Sequence, residues 1–258
     1  MEIINTLKGE HLKDLLKTGK RLSTRDIFDM REIIIKKGVL PQAEGSAQVD
    51  MGSTRVLAGV KLMPEDPMPD TPNQGNLITS AELLPLAHKD YESGPPSSDA
   101  IELARVVDRG IRAGGCIDLE SLVLEDKKVW SVFLDLYILN FGGNLFDACS
   151  AAAMAALLDT KIPEYKDGVV VREERIKSLK IDNIISSTTF GKIDQYMLLD
   201  MDENEEEMAD ARITIATDGS SIRAMQKGLF GSFSAQEINK LIEISFEKHQ
   251  SIKKAIEE

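Results

Sequence analysis

Between Lys128 and Thr160 the chain switches its hydrophobic period once, and that switch constrains the fold more than any other stretch. Val129 to Leu139 is rich in β-branched and aromatic residues, with Trp130, Val132, Leu134, Leu136 and Ile138 at period two. Side chains alternate along a strand, so these residues share one face of a sheet. The other face mixes Ser131, Asp135 and Tyr137 with apolar residues, which predicts a strand well inside a sheet. Gly142-Gly143 stops it. Leu145 to Leu158 is then mostly alanine and leucine, with Asp147 its only charge. Alanine is the best helix former, and its short side chain lets a helix backbone lie close against a sheet. A strand, a glycine turn and a nearly uncharged helix make a buried unit around which the rest must be arranged.

The flanking segments supply strands on both sides. Residues 1–20 carry Ile3, Ile4, Leu7, Leu12, Leu15 and Leu16 at near-helical spacing, predicting a helical extension. Arg21 to Arg31 reads as an ordered polar connection. Glu32 to Ile35 opens a strand, Lys36-Lys37-Gly38 marks a turn, and Gly45–Gly52 with Arg55–Leu62 forms a hairpin. Met63 to Asn76 holds four prolines and reads as a loop. Leu77 to Leu86 resumes the alternation. Asp99 to Arg112 is a helix, capped by Ser98 or Asp99 and ended by Gly114-Gly115.

Beyond the central unit, Ile162-Pro163 and a charged segment over Val171–Lys180 lead to Ile184 through Phe190. Gln195–Asp200 is a strand with Ala211–Thr217 as its expected partner, and Ile222–Lys227 adds another. Ser234 and Glu237 have capping-box spacing and open a C-terminal helix over 234–256. Strands and helices in this order predict an α+β fold with mixed or antiparallel sheets.

Composition narrows the function classes. A net charge of −12 argues against wholesale wrapping of nucleic acid but leaves room for a local basic patch. No run of about 18 apolar residues exists, so no membrane span is expected, and the N-terminus lacks a signal-peptide core. Cys116 and Cys149 read as buried free thiols in a reducing cytosol, and two cysteines do not make a zinc site. His11, His88 and His249 stand singly. No phosphate loop, dinucleotide fingerprint or nucleophile elbow is present. The acid run from Asp200 to Glu207 could supply catalytic carboxylates or a metal site, but it lacks calcium-loop spacing and reads as a solvated loop.

The sharpest local signal is Arg105, Arg109 and Arg112, which at about 100° per residue lie within roughly 60° on one helix face. Arginine's planar donor fork suits phosphate oxygens. The plainer reading is a solvated face paired with Glu102 and Asp108. The residues alone favour that second reading.

Longer runs add a resemblance. Gly38 to Ala47 and Gly52 to Val60 resemble the opening of the RNase PH family of phosphate-dependent exoribonucleases. Thr71 to Leu77 and Ala100 to Arg109 are similar to its non-catalytic members in archaeal exosomes. The resemblance runs from about Arg21 to Ile252. It implies one RNase PH-like domain over 1–258 that pairs with the catalytic RNase PH-like subunit. Three pairs would form a hexameric ring around a channel for single-stranded RNA, with RNA-binding cap subunits, in the cytoplasm.

The departures from the active pattern are chemical. Active members carry paired arginines just before the helix, where this chain has Ser98-Asp99. They carry D-G-G-T-R at the central turn, where this chain has Phe141-Gly142-Gly143-Asn144-Leu145. Their essential acid aligns with Arg212, although Asp200 remains. An attacking phosphate needs several donors and cations, so the resemblance implies no catalytic residues, no metal and no cofactor here. Arg105 and Arg109 match family positions that contact RNA, with Arg112 a weaker candidate. The rival readings are a self-sufficient nuclease using Asp200 and an interaction domain that never meets nucleic acid.

Overall fold

A computed structural model describes residues 11–125 and 127–258. The first sheet comprises β1 (Ile33–Lys37), β2 (Gly45–Met51), β3 (Thr54–Glu65), β4 (Asn76–Leu83) and β5 (Val129–Asn140), in the spatial order β1-β2-β3-β5-β4. Only the β4–β5 pair is parallel, so the sheet is mixed. The chain from β4 to β5 passes through α2 (Ser98–Gly114), which follows an initial helix, α1, over 11–17. Trp130, Val132, Leu134, Leu136 and Ile138 are all buried, on the face the alternation assigned to them.

That face lies against α3 (Leu145–Asp159), which is buried without interruption from Phe146 to Leu157. Its other side meets a second, antiparallel sheet of order β11-β10-β8-β9: β8 (Ser186–Ile193), β9 (Tyr196–Leu199), β10 (Ala211–Thr217) and β11 (Ile222–Gly228). A helix held between two sheets has no solvent face, which is why its sequence carries almost no polar residues. Its polar exceptions are paired: Ser187 donates to Ser150 at 2.9 Å, and Asp147 accepts from Thr189. A terminal helix, α5 (Ala235–Glu257), covers β8 and β10 and opens on the predicted capping box.

The α+β class and the central unit match expectation, and several boundaries move. Strand β3 continues through Pro64 to Glu65. The N–H of Leu62 points toward the β2 side, where it donates to Glu44. Pro64 shares that parity and lies beyond the end of β2, so its missing donor costs nothing. Lys36 and Lys37 belong to β1 rather than to a turn. Helix α2 is capped by Ser97, one residue early. The charged segment forms a hairpin of β6 (Lys161–Lys166) and β7 (Val169–Ser178), joined by Asp167 and Gly168, both at positive φ. Strand β9 pairs with β8, not with β10, because β8 lies between them. The acid run is no loop: α4 (Glu203–Glu207) carries a complete capping box and buries Glu205. The expected helical extension is described from residue 11, with Leu12 and Leu16 buried against β9, and residues 1–10 lie outside the described part.

Candidate nucleic-acid interface

Helix α2 presents opposite chemistries on its two sides. Leu103, Val107 and Ile111 enter the core. A Cβ on Gly110 or Gly114 would come within 2.9 or 2.6 Å of Ile185, so these glycines let the helix lie close against the segment leading to β8. The outward face carries Arg105, Arg109 and Arg112, all exposed. With Thr79, Ala104 and Asp108 they line an open depression of about 440 Å³.

The three arginines are held differently. Arg112 donates to Asp108 at 2.7 Å and to the Leu77 carbonyl, so it is committed to the fold. Arg109 donates through Nη1 to the Gln226 side-chain oxygen at 2.8 Å. Arg105 has no side-chain partner among the described residues. Of the two acids expected to neutralise this face, Asp108 pairs with Arg112. Glu102 turns away to Arg212, whose Nη2 lies 3.1 Å from each of its oxygens. Two guanidinium groups therefore face solvent with most donors unused, an arrangement suited to phosphate oxygens.

The turn after β5 is built differently. Asn144 sits at φ 57 and caps α3. Its Nδ2 donates to Asp147 and to Asp200, at 2.8 Å each, and its backbone N–H donates to Glu206 at 2.8 Å. Arg31 reaches the carbonyls of Gly142 and Gly143 at 2.8 and 3.1 Å, and grips Asp200. Arg25 adds a bond to Asp200 at 2.8 Å. A fully buried ion pair joins Arg21 to Glu205.

The electrostatics follow from this packing. Burial alone would raise Asp200; Arg31, by hydrogen bond and charge, outweighs it and holds the carboxyl below the ordinary range. Burial pushes Asp147 up to about 7, and Glu206 to about 7, against partial relief from Asn144. Asp200 is wholly inaccessible, and its two oxygens accept five hydrogen bonds, leaving no lone pair for a metal or substrate. The surrounding acids repel an anion, and the Asn144 amide that could donate to one is taken by Glu206.

The arginines at 21, 25 and 31 were legible only as charge in a connection. The available signal was three cations within eleven residues, facing an acid run that needed counter-charges.

The model of domain 1 of the 3′ exoribonuclease family, RNase PH, matches residues 29–163, and the model of its domain 2 matches residues 183–248. The chain belongs to the RNase PH family. It is 45% identical to the exosome complex component Rrp42 of Sulfurisphaera tokodaii, over 92% of this chain and 88% of the relative. With the Rrp42 component of Methanothermobacter thermautotrophicus the identity is 43%, over 96% and 93%. A chain in a solved structure of the Archaeoglobus fulgidus exosome with RNA bound to the active site superposes with a TM-score of 0.92. It is 36% identical, and 98% of each chain is covered. In this RNase PH-family chain, helix α2 lies within the domain 1 match, and the sealed cluster joins Arg31 and Asn144 of that match to Asp200 and Glu206 of the domain 2 match.

Proposed function

We propose that this chain is an Rrp42-type, non-catalytic subunit of an RNA-degrading exosome that acts in the cytoplasm. It pairs with the catalytic RNase PH-like subunit; three pairs form a hexameric ring that takes RNA-binding cap subunits. Single-stranded RNA in the channel is gripped by Arg105 and Arg109, with Arg112 contributing less because Asp108 and Leu77 already hold it. Residues 1–258 act as one RNase PH-like unit, a reading supported by α3 packing against strands of both family segments.

The observation that carries the non-catalytic reading is the state of Asp200: buried, saturated with hydrogen bonds and ringed by other carboxylates. A group that activates phosphate or water has to reach it. The reading of the arginines rests on Arg105 and Arg109 keeping unused donors on an exposed face.

The test is one assay on three samples. Phosphate-dependent shortening of a labelled oligoribonucleotide is measured for the chain alone, for the catalytic subunit alone and for both together. The expected result is activity that rises on mixing and none from the isolated chain. Robust shortening by the isolated chain would establish the alternative, a self-sufficient phosphate-dependent exoribonuclease.

A further inference from the structure

Arg109 is the end of a chain of three contacts that starts at Arg212. Arg212 on β10 lies over the Phe146 ring, 4.3 Å from its centroid, and presents Nη2 to both oxygens of Glu102. Glu102 in turn accepts from Gln226 Nε2 on β11, at 3.4 Å. A carboxylate accepts only, so the nitrogen of the Gln226 amide must face Glu102 and its oxygen must face away. That oxygen is the one that receives Arg109 Nη1 at 2.8 Å. The fold makes room for the first member of the chain: Arg212 stands directly opposite Gly228, where a Cβ would come within 2.7 Å of Nη2.

We propose that Arg212 and Gln226 are positioning residues for RNA, acting through Glu102 on the two exposed arginines; this rests on the reading that Arg105 and Arg109 grip RNA. Arg212 has two effects. It occupies Glu102, which is three residues before Arg105 on the same helix and would otherwise pair with it, as acids and bases at that spacing do. Through Glu102 it also sets the Gln226 amide, which holds Arg109 in one place. A free arginine loses considerable rotamer freedom when it binds, so one already held binds phosphate at lower entropic cost. Arg105 is kept available and Arg109 is kept in position. Both follow from one partly buried guanidinium.

The experiment uses the complex assembled with the catalytic subunit, titrated into a short fluorescein-labelled oligoadenylate at fixed salt. Gln226→Leu removes the acceptor of Arg109 and is expected to weaken binding about three- to tenfold, the effect of one net hydrogen bond. Arg212→Met should weaken it at least as much, because Glu102 is released toward Arg105. The double variant Arg212→Met/Glu102→Gln should return to within about twofold of the unmodified complex. It still lacks Arg212, so a merely structural role gives no such recovery. Failure of the double variant to recover overturns the proposal, as does unchanged binding by both single variants. If Arg212→Met does not assemble, Gln226→Leu decides alone. Arg105→Glu/Arg109→Glu separates the layers: if it abolishes binding while Gln226→Leu does nothing, only the positioning proposal falls. If it leaves binding intact, the underlying reading falls with it.

Discussion

Asp200 receives three hydrogen bonds from Arg31 alone: from the backbone N–H at 2.8 Å, from Nε at 2.9 Å and from Nη2 at 2.6 Å. The pair crosses from the segment before β1 to the turn after β9, so it ties the two sheets together. Removing one partner leaves the other charge buried and unpaired, which typically costs 3–5 kcal/mol. Asp200→Ala is therefore expected to lower the urea midpoint by an amount equivalent to about that range. A loss below about 1 kcal/mol would show that the pair is not holding the sheets.

The same seal predicts that inorganic phosphate does not bind at this turn. Calorimetric titration of the isolated chain with phosphate is expected to show no heat attributable to Asn144 or Asp200. Saturable binding that disappears in Asn144→Leu would contradict the account of the site.

Charge reversal at Arg105 and Arg109 is expected to act on RNA binding and not on the fold. Both side chains are exposed, so the double variant should stay within about 0.5 kcal/mol of the unmodified stability. In the assembled complex, RNA affinity should drop and its salt dependence flatten. The slope of log K against log salt should lose about 0.7 for each phosphate contact removed. An unchanged slope would mean that neither arginine meets the backbone.

Proton uptake by Asp147 gives a pH signature. Burial pushes its carboxyl up to about 7, only partly offset by Asn144 and Thr189, whereas unfolded it titrates near its ordinary value of 3.8. Between those two values the folded state binds more protons, so stability falls as pH rises and levels off above about 7. Glu206, pushed up to about 7 by burial, has the same sign. Asp200 has the opposite one: its contribution is present above the ordinary carboxylate range and is lost on acidification below it. Asp147→Asn can keep the bonds from Asn144 and the Thr189 N–H on its oxygen. Its amide nitrogen can donate to the Thr189 hydroxyl, which then donates to Thr214, 2.9 Å away. Urea midpoints measured at about pH 5.5 and about pH 8 should differ less in this variant than in the unmodified chain. Equal differences would remove Asp147 from the explanation.

Two glycines of the first sheet provide a packing test. A Cβ on Gly45 would lie 2.2 Å from Thr160 Oγ1 and 2.4 Å from the Ala156 carbonyl, and backbone cannot give way cheaply. Gly45→Ala should cost about 1–3 kcal/mol or more. At Gly59 the nearest neighbour is Leu40 Cδ1 at 3.6 Å, an ordinary contact, and Gly59→Ala should change the midpoint little. Thermal unfolding of the two variants side by side distinguishes them.

What could be read from residues alone was whatever local pattern decides. The five alternating side chains of β5 and the alanine run of α3 declare their partners, because period and size are set by burial. The pairing of β9 was not legible, since strand order is chosen by contacts distant in sequence. The Asp167-Gly168 turn carries a strong hairpin signal that the surrounding charges obscure. The arginine face of α2 was visible as spacing. Its division into one committed, one held and one unengaged side chain depends on Leu77 and Gln226, which lie 35 and 117 residues away from their partners. The burial of Glu205 likewise depends on Arg21, 184 residues earlier.

That last separation sets an order on biosynthesis. A ribosome releases Arg21, Arg25 and Arg31 well before Leu199, Asp200 and Glu205, which follow Arg21 by 178, 179 and 184 residues. Until then the three arginines lack their distant acceptors and have only near ones, such as Ser23 Oγ and the Asp29 carbonyl for Arg25. Translation that stops short of Leu199 leaves a product with an open seam and a positively charged leading end, the kind of species that quality-control proteases remove.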